Sequence, residues 1–220
     1  MHLDRLIERE NFHKVLKQTI EDFLFKIKNR SFLVKFTNKK SASENYFLIN
    51  SKLNIIFPKN LSSLKIYPFI NQFFYNPNNF KSILQKNYCK FSLNNFFRKI
   101  FYKNNLVISP WEKSFKDLII CGGNHSISIV SLKEKTSTQI LKYNYNPKFI
   151  VNSINIRNQY PELPIPKIYD YSIKENWVKQ EWINGIPINR IKNNKHLEES
   201  INNLDSAMMD LYKKTKKKEL

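Results

Sequence analysis

Lys142 stands inside an otherwise apolar strand, QILKYN (139–144), and farther along the chain VKQEWINGIPI (178–188) supplies a strand, an acid at Glu181 and a glycine at Gly185. Side chains two apart in a strand share a face, so Ile140 and Lys142 are expected to point the same way. An apolar ceiling for a base and a cation for its phosphates would then open onto one cleft. The chain has only three glycines, Gly122, Gly123 and Gly185. A sequence so sparing with glycine is expected to use it where the backbone takes positive φ or approaches something closely. Gly122 and Gly123, with Asn124, form a candidate phosphate loop in GGNH. Glu181, Trp182 and Ile183 precede Gly185, the glycine that follows the last of these strands.

The elements that must position these residues follow from the local pattern. FKDLIIC (115–121) and SISIVSL (126–132) read as strands joined by GGNH, and STQILKY (137–143) follows the charged turn KEKT. NPKFIVNSINIRNQY reads as a helix with Asn146 as N-cap and Pro147 at its first position. LPIPKIYDYSI and NWVKQEWI supply two more strands around a turn at Lys174 and Glu175, giving the order β-β-β-α-β-β. Beyond Gly185, Leu197, Ile201, Leu204, Met208 and Leu211 fall on one face of a helix capped by Asn193 or Asn194, with lysines at its end suited to the helix dipole.

The N-terminal half has a different character. Residues 3–28 space Leu3, Leu6, Ile7, Leu16, Ile20, Phe23, Leu24 and Ile27 by threes and fours, predicting an amphipathic helix. Residues 31–36, 46–49 and 53–57 read as short strands. From Leu61 to Tyr102 the chain mixes aromatic and basic residues, broken at Pro68 and Pro77, and ISPWEKS (108–114) reads as a junction. Aromatic rings interleaved with lysine could stack single-stranded nucleic acid. The helical spacing of the rings points instead to an aromatic core under a lysine-rich surface.

The joint order, with PELPIPKIYD and WVKQEWINGIPI, resembles the small lobe of the aminoglycoside phosphotransferase and choline kinase-like family, within the protein-kinase-like superfamily. The resemblance covers about residues 115–212, on Lys142, Pro164, Pro166, Glu181 and Gly185. It implies an α+β chain: an aromatic-rich basic α+β region at 1–110, a kinase-like small lobe of five antiparallel strands and one helix at 111–190, and the first helix of a large lobe at 191–220, the remainder absent. It also implies ATP-dependent phosphorylation of a small-molecule or sugar hydroxyl, with ATP and Mg as cofactors. Gly122, Gly123, Asn124, Ile140, Lys142, Glu181, Trp182 and Ile183 would be the nucleotide-binding residues.

The departures from the family are specific. No acid lies between Lys142 and Tyr160 to pair with the lysine. The stretch after Gly185 is too short for an H-G-D type signature, and its two aspartates, Asp205 and Asp210, sit within the amphipathic helix. No catalytic or metal-binding residue is therefore assigned. The chain is expected to bind nucleotide weakly and to be inactive or incomplete alone. A second chain supplying the large lobe, or a homodimer, would cover the apolar stripe of the last helix.

Composition bounds the alternatives. The 220 residues carry a formal charge of +19. That charge fits either a polyanionic partner or the drift towards Lys, Asn, Ile, Phe and Tyr that A/T-rich codons favour. The first of these supports the rival reading, a basic non-enzymatic protein on nucleic acid or an anionic surface. Cys89 and Cys121 are too few for a disulfide framework, and His2, His13, His125 and His196 lack ligand spacing. Acids near the N-terminus and the lack of a long apolar run argue against a signal peptide or a membrane span, and a cytoplasmic location is expected.

Overall fold

The computed structural model describes residues 11–38, 45–51, 53–71, 80–102, 104–161, 165–183, 191 and 193–216. Helix α1 (Phe12–Lys28) buries Phe12, Leu16, Ile20, Phe23 and Leu24 on one face, the periodicity the sequence shows; residues 3–10 of the expected helix lie outside the described residues. Asn11 caps its start, its Oδ1 accepting from the Lys14 N–H at 3.3 Å, and Asn29 ends it in the left-handed region at φ 50°.

Among the described residues nine strands then form one antiparallel sheet: β1 (Leu33–Thr37), β2 (Phe47–Asn50), β3 (Ile55–Pro58), β4 (Asn105–Ser109), β5 (Leu118–Gly122), β6 (Ser126–Ser131), β7 (Thr136–Leu141), β8 (Ile168–Ser172) and β9 (Trp177–Glu181). Their order is β1-β4-β2-β3-β5-β6-β7-β9-β8. This corrects the five-stranded expectation. The five predicted strands are β5 to β9, but β3 pairs with β5 through Ile56 and Ile120, so the sheet continues into the N-terminal half. The reason is that a bare β5 edge would leave a row of N–H and C=O groups unpaired, and β3 satisfies part of it. The pairing also crosses the division expected at residues 110 and 111.

The helices lie on both faces. On one, α1 packs over a core that includes Val34, Ile56, Ile120, Ile127 and Ile140. On the other, α2 (Ser63–Asn71), α3 (Phe80–Leu93) and α4 (Arg98–Phe101) cover one half, where Ile66, Cys89 and Leu93 meet Ile55, Phe57, Ile119 and Val130. Helix α5 (Lys148–Gln159) covers the other half, setting Ile150 and Ile154 against Leu141 and Val178. Successive strand residues point to opposite faces, so Ile55 and Ile56, Ile119 and Ile120, and Ile140 and Leu141 each serve both cores. That is why β3 and β5 are short, nearly unbroken apolar runs rather than alternating ones.

The structure departs from the expected elements in three further ways. β4 is a strand that the aromatic stretch before it conceals. α2 runs through Pro68 instead of breaking there; the proline removes a single N–H from the helix, and Ile66 is wholly buried against the sheet. Pro77 lies outside the described residues. Among the aromatic residues expected to form a core, Tyr102 is buried while Phe80, Tyr88, Phe91 and Phe96 are exposed.

Helix α6 (Asn194–Lys216) begins under the Asn193 side chain, whose Oδ1 accepts from the Lys195 N–H at 2.9 Å. None of its described side chains is buried: Ile201, Leu204 and Met208 are exposed, and Leu197 and Leu211 half-buried. No helix among the described residues is long and apolar enough to cross a membrane.

Candidate nucleotide-binding site

Neither glycine of the GGNH turn takes positive φ, and Gly123 serves close approach instead. The Gly123 N–H donates to Ser126 O at 2.8 Å, and a Cβ on Gly123 would lie 2.8 Å from that same oxygen. Gly122 is held by the buried Asn54 amide, which donates to Gly122 O at 2.6 Å and accepts from its N–H at 2.9 Å. The Gly123 N–H is thus spent on the hairpin and the Gly122 N–H on Asn54. A phosphate loop needs such groups pointing outward.

Lys142 follows β7 directly and is 1% exposed. Its backbone N–H donates to His125 O at 3.0 Å, and its ammonium to Asn124 O at 3.3 Å. The same ammonium lies 5.6 Å from the Phe12 ring centroid and 5.3 Å from that of Tyr145, a pair of cation–π contacts. Phe12 opens α1, so Lys142 points to the face that α1 covers. Ile140 is on that face too, inside the α1 core. The shared face of Ile140 and Lys142 is present, and α1 fills it.

α5 lies on the opposite face, with Leu141 and Val178. None of its residues stands where an acid would meet Lys142. Instead Arg157 of α5 donates to the Gln180 side chain, tying the helix to β9. The small cavity beside Lys142, about 230 Å³, is lined by Thr19, Asp22, Phe23, Lys26 and Glu175 among others. It is smaller than the roughly 300–1,000 Å³ usual for ligand sites, and two carboxylates border it.

Glu181, Trp182 and Ile183 lie at the other end of the sheet. Glu181 is paired with Thr136, and its N–H donates to Lys167 O at 2.8 Å, while the Trp182 N–H donates to Lys135 O at 2.9 Å. Lys142 is six residues beyond Thr136, a strand length of roughly 20 Å. The structure thus brings Gly122, Gly123, Asn124, Ile140 and Lys142 together at one end and leaves the other three at the far end. Gly185 lies outside the described residues.

Sequence reasoning missed the groups that enclose Lys142. Phe12 is more than a hundred residues away in the chain, and no local spacing announces it. Nearer at hand, His125 stacks on Phe149 of α5 at 4.0 Å between centroids and 9° between planes, joining the GGNH turn to the start of that helix. No group of three or more His, Cys, Asp or Glu that could hold a metal ion occurs among the described residues. No family model, no curated protein and no solved structure matches this chain.

Proposed function

We propose that residues 118–183 are the small-lobe sheet of a phosphotransferase of the aminoglycoside phosphotransferase and choline kinase-like type, ancestrally ATP-dependent, and that this chain alone transfers no phosphate. The succession of elements supports the ancestry: the meander β5-β6-β7, then α5, then a hairpin whose second strand, β9, lies against β7. The enclosure of Lys142 carries the loss of transfer. In that superfamily the strand lysine must face the phosphates. Here it faces Phe12 and Tyr145 on one side of the sheet, with α5 on the other. Phosphates could reach the ammonium only after α1 had left.

Titration calorimetry with Mg-ATP and a turnover assay on the wild type and Lys142→Ala test this. The expected result is millimolar or weaker affinity and no turnover in either protein. Turnover that Lys142→Ala abolishes would overturn it.

One observation favours the rival reading of a basic protein on single-stranded nucleic acid. Phe80, Tyr88, Phe91 and Phe96 are exposed with Lys86 and Lys90 between them, the mixture of stacking rings and cations such a surface requires. Fluorescence anisotropy with a labelled oligothymidine at two salt concentrations tests it. Binding that weakens with salt and falls on Phe80→Ala supports that reading, and a flat titration at low salt removes it.

A further inference from the structure

Arg98, the first residue of α4, is a buried cation, 4% exposed. Its Nε donates to Leu93 O at 2.9 Å, one Nη to Lys59 O at 2.6 Å and the other to Ser63 Oγ at 3.4 Å. Its guanidinium lies 5.2 Å from the centroid of Phe57. A guanidinium has five N–H donors in all. The remaining two find no acceptor among the described residues, and no carboxylate there lies within ion-pair distance of it. Burial lowers its pKa, against the opposing influence of Tyr102 and Tyr67. A buried charge compensated only by neutral oxygens is costly, and an anion beside it would relieve that cost.

Space for an anion is present. Arg98 lines a cavity of about 550 Å³ with Tyr46, Lys59, Asn60, Tyr102 and Asn105, and among the described residues neither aspartate nor glutamate is in the lining. The volume is within the roughly 300–1,000 Å³ of small-ligand sites. The Lys59 ammonium sits 5.0 Å from the Tyr46 ring centroid and has no carboxylate partner among the described residues. A second cavity of about 590 Å³ shares Tyr46, Lys59 and Asn60 with the first and is also lined by Trp111. Among the described residues the one acid of this second cavity, Asp117, is held by Lys65 at 2.7 Å. Two cations without a carboxylate partner among the described residues, Arg98 and Lys59, therefore border one recess together with asparagine amides and tyrosine rings.

We propose that this recess binds the phosphate group of a small phosphorylated molecule, Arg98 and Lys59 holding the anion while Asn60, Tyr46 and Tyr102 face the rest of the ligand. The recess lies on the sheet face opposite Lys142 and does not depend on the phosphotransferase reading.

The test is calorimetry on the intact chain in low-salt, phosphate-free buffer, with inorganic phosphate and adenosine 5′-monophosphate as probes and adenosine as control. Both anions should bind saturably, the nucleotide more tightly, and adenosine not at all. Lys59→Gln should weaken both anions about tenfold or more, since a charge-assisted bond is lost, while circular dichroism stays unchanged. Arg98→Lys should weaken them as well; if that variant fails to fold, Lys59→Gln decides. Lys142→Ala should leave this binding intact, which separates the result from the Mg-ATP experiment. Absence of saturable binding at millimolar probe would overturn the proposal, as would indifference to Lys59→Gln, equal binding of adenosine, or binding of an oligonucleotide without either small anion.

Discussion

Asn29, Asn54, Asn144 and Asn176 all take positive φ, and no glycine among the described residues does. Asparagine can do so because its short side chain bonds locally in the left-handed region. Lys135, at φ 52°, has no such compensation. Lys135→Gly should therefore stabilise the protein by about 0.5–1 kcal/mol, raising Tm by about 1–4 °C in a thermal melt. Gly123→Ala should act in the opposite direction, because its Cβ would meet the Ser126 carbonyl rather than a side chain that can swing away. A loss of about 1–3 kcal/mol by urea denaturation is expected. Glu112 gives a pH signature. Burial raises its pKa, but hydrogen bonds from Lys28, Ser114 and Arg30 outweigh that and hold it below the ordinary 4.5. A depressed carboxylate contributes stability that is fully present above its unfolded pKa and is lost as pH falls through the folded one. The urea midpoint of the wild type should thus exceed that of Glu112→Gln at pH 7, and the difference should shrink progressively below pH 4.5.

Helix α1 is the element that decides what the Lys142 face can do. Besides its apolar stripe it makes two polar connections to the sheet: Glu21 Oε1 accepts from the Val34 N–H at 2.7 Å on edge strand β1, and Thr19 Oγ1 accepts from the Tyr143 N–H at 3.0 Å. Leu16→Ala, at a wholly buried position, should cost about 2–5 kcal/mol in chemical denaturation. In the variant, Lys142 should also become more reactive to an amine label, since Phe12 and Leu16 share the helix that shields it. The strands β5 to β9 were legible because each is a short run rich in β-branched or aromatic residues set off by turn residues. The Asn193 cap was legible as one of two candidates. β4 was not, because Asn105–Ser109 follows a dense aromatic segment with helical spacing and becomes a strand only by pairing with β1 and β2.

At the scale of the whole molecule, one sheet gathers both halves of the chain, while α6 shares little of that packing. Backbone amides open most readily where few apolar contacts hold them. Hydrogen exchange should accordingly be much faster throughout Asn194–Lys216 than in β6 and β7, and equal protection of the two would mean that the apolar stripe of α6 is covered in solution. Local pattern determined the strand runs, the helix faces, the cap of α6 and the common face of Ile140 and Lys142, because these depend on residues a few positions apart and on periods of 2.0 and 3.6. Tertiary structure alone decided that β3 joins β5, that α1 closes over Lys142, and that Arg98 meets Lys59 at the edge of one recess. Those contacts join residues dozens to more than a hundred positions apart, and which apolar face covers which is settled by packing, a property that no local spacing encodes.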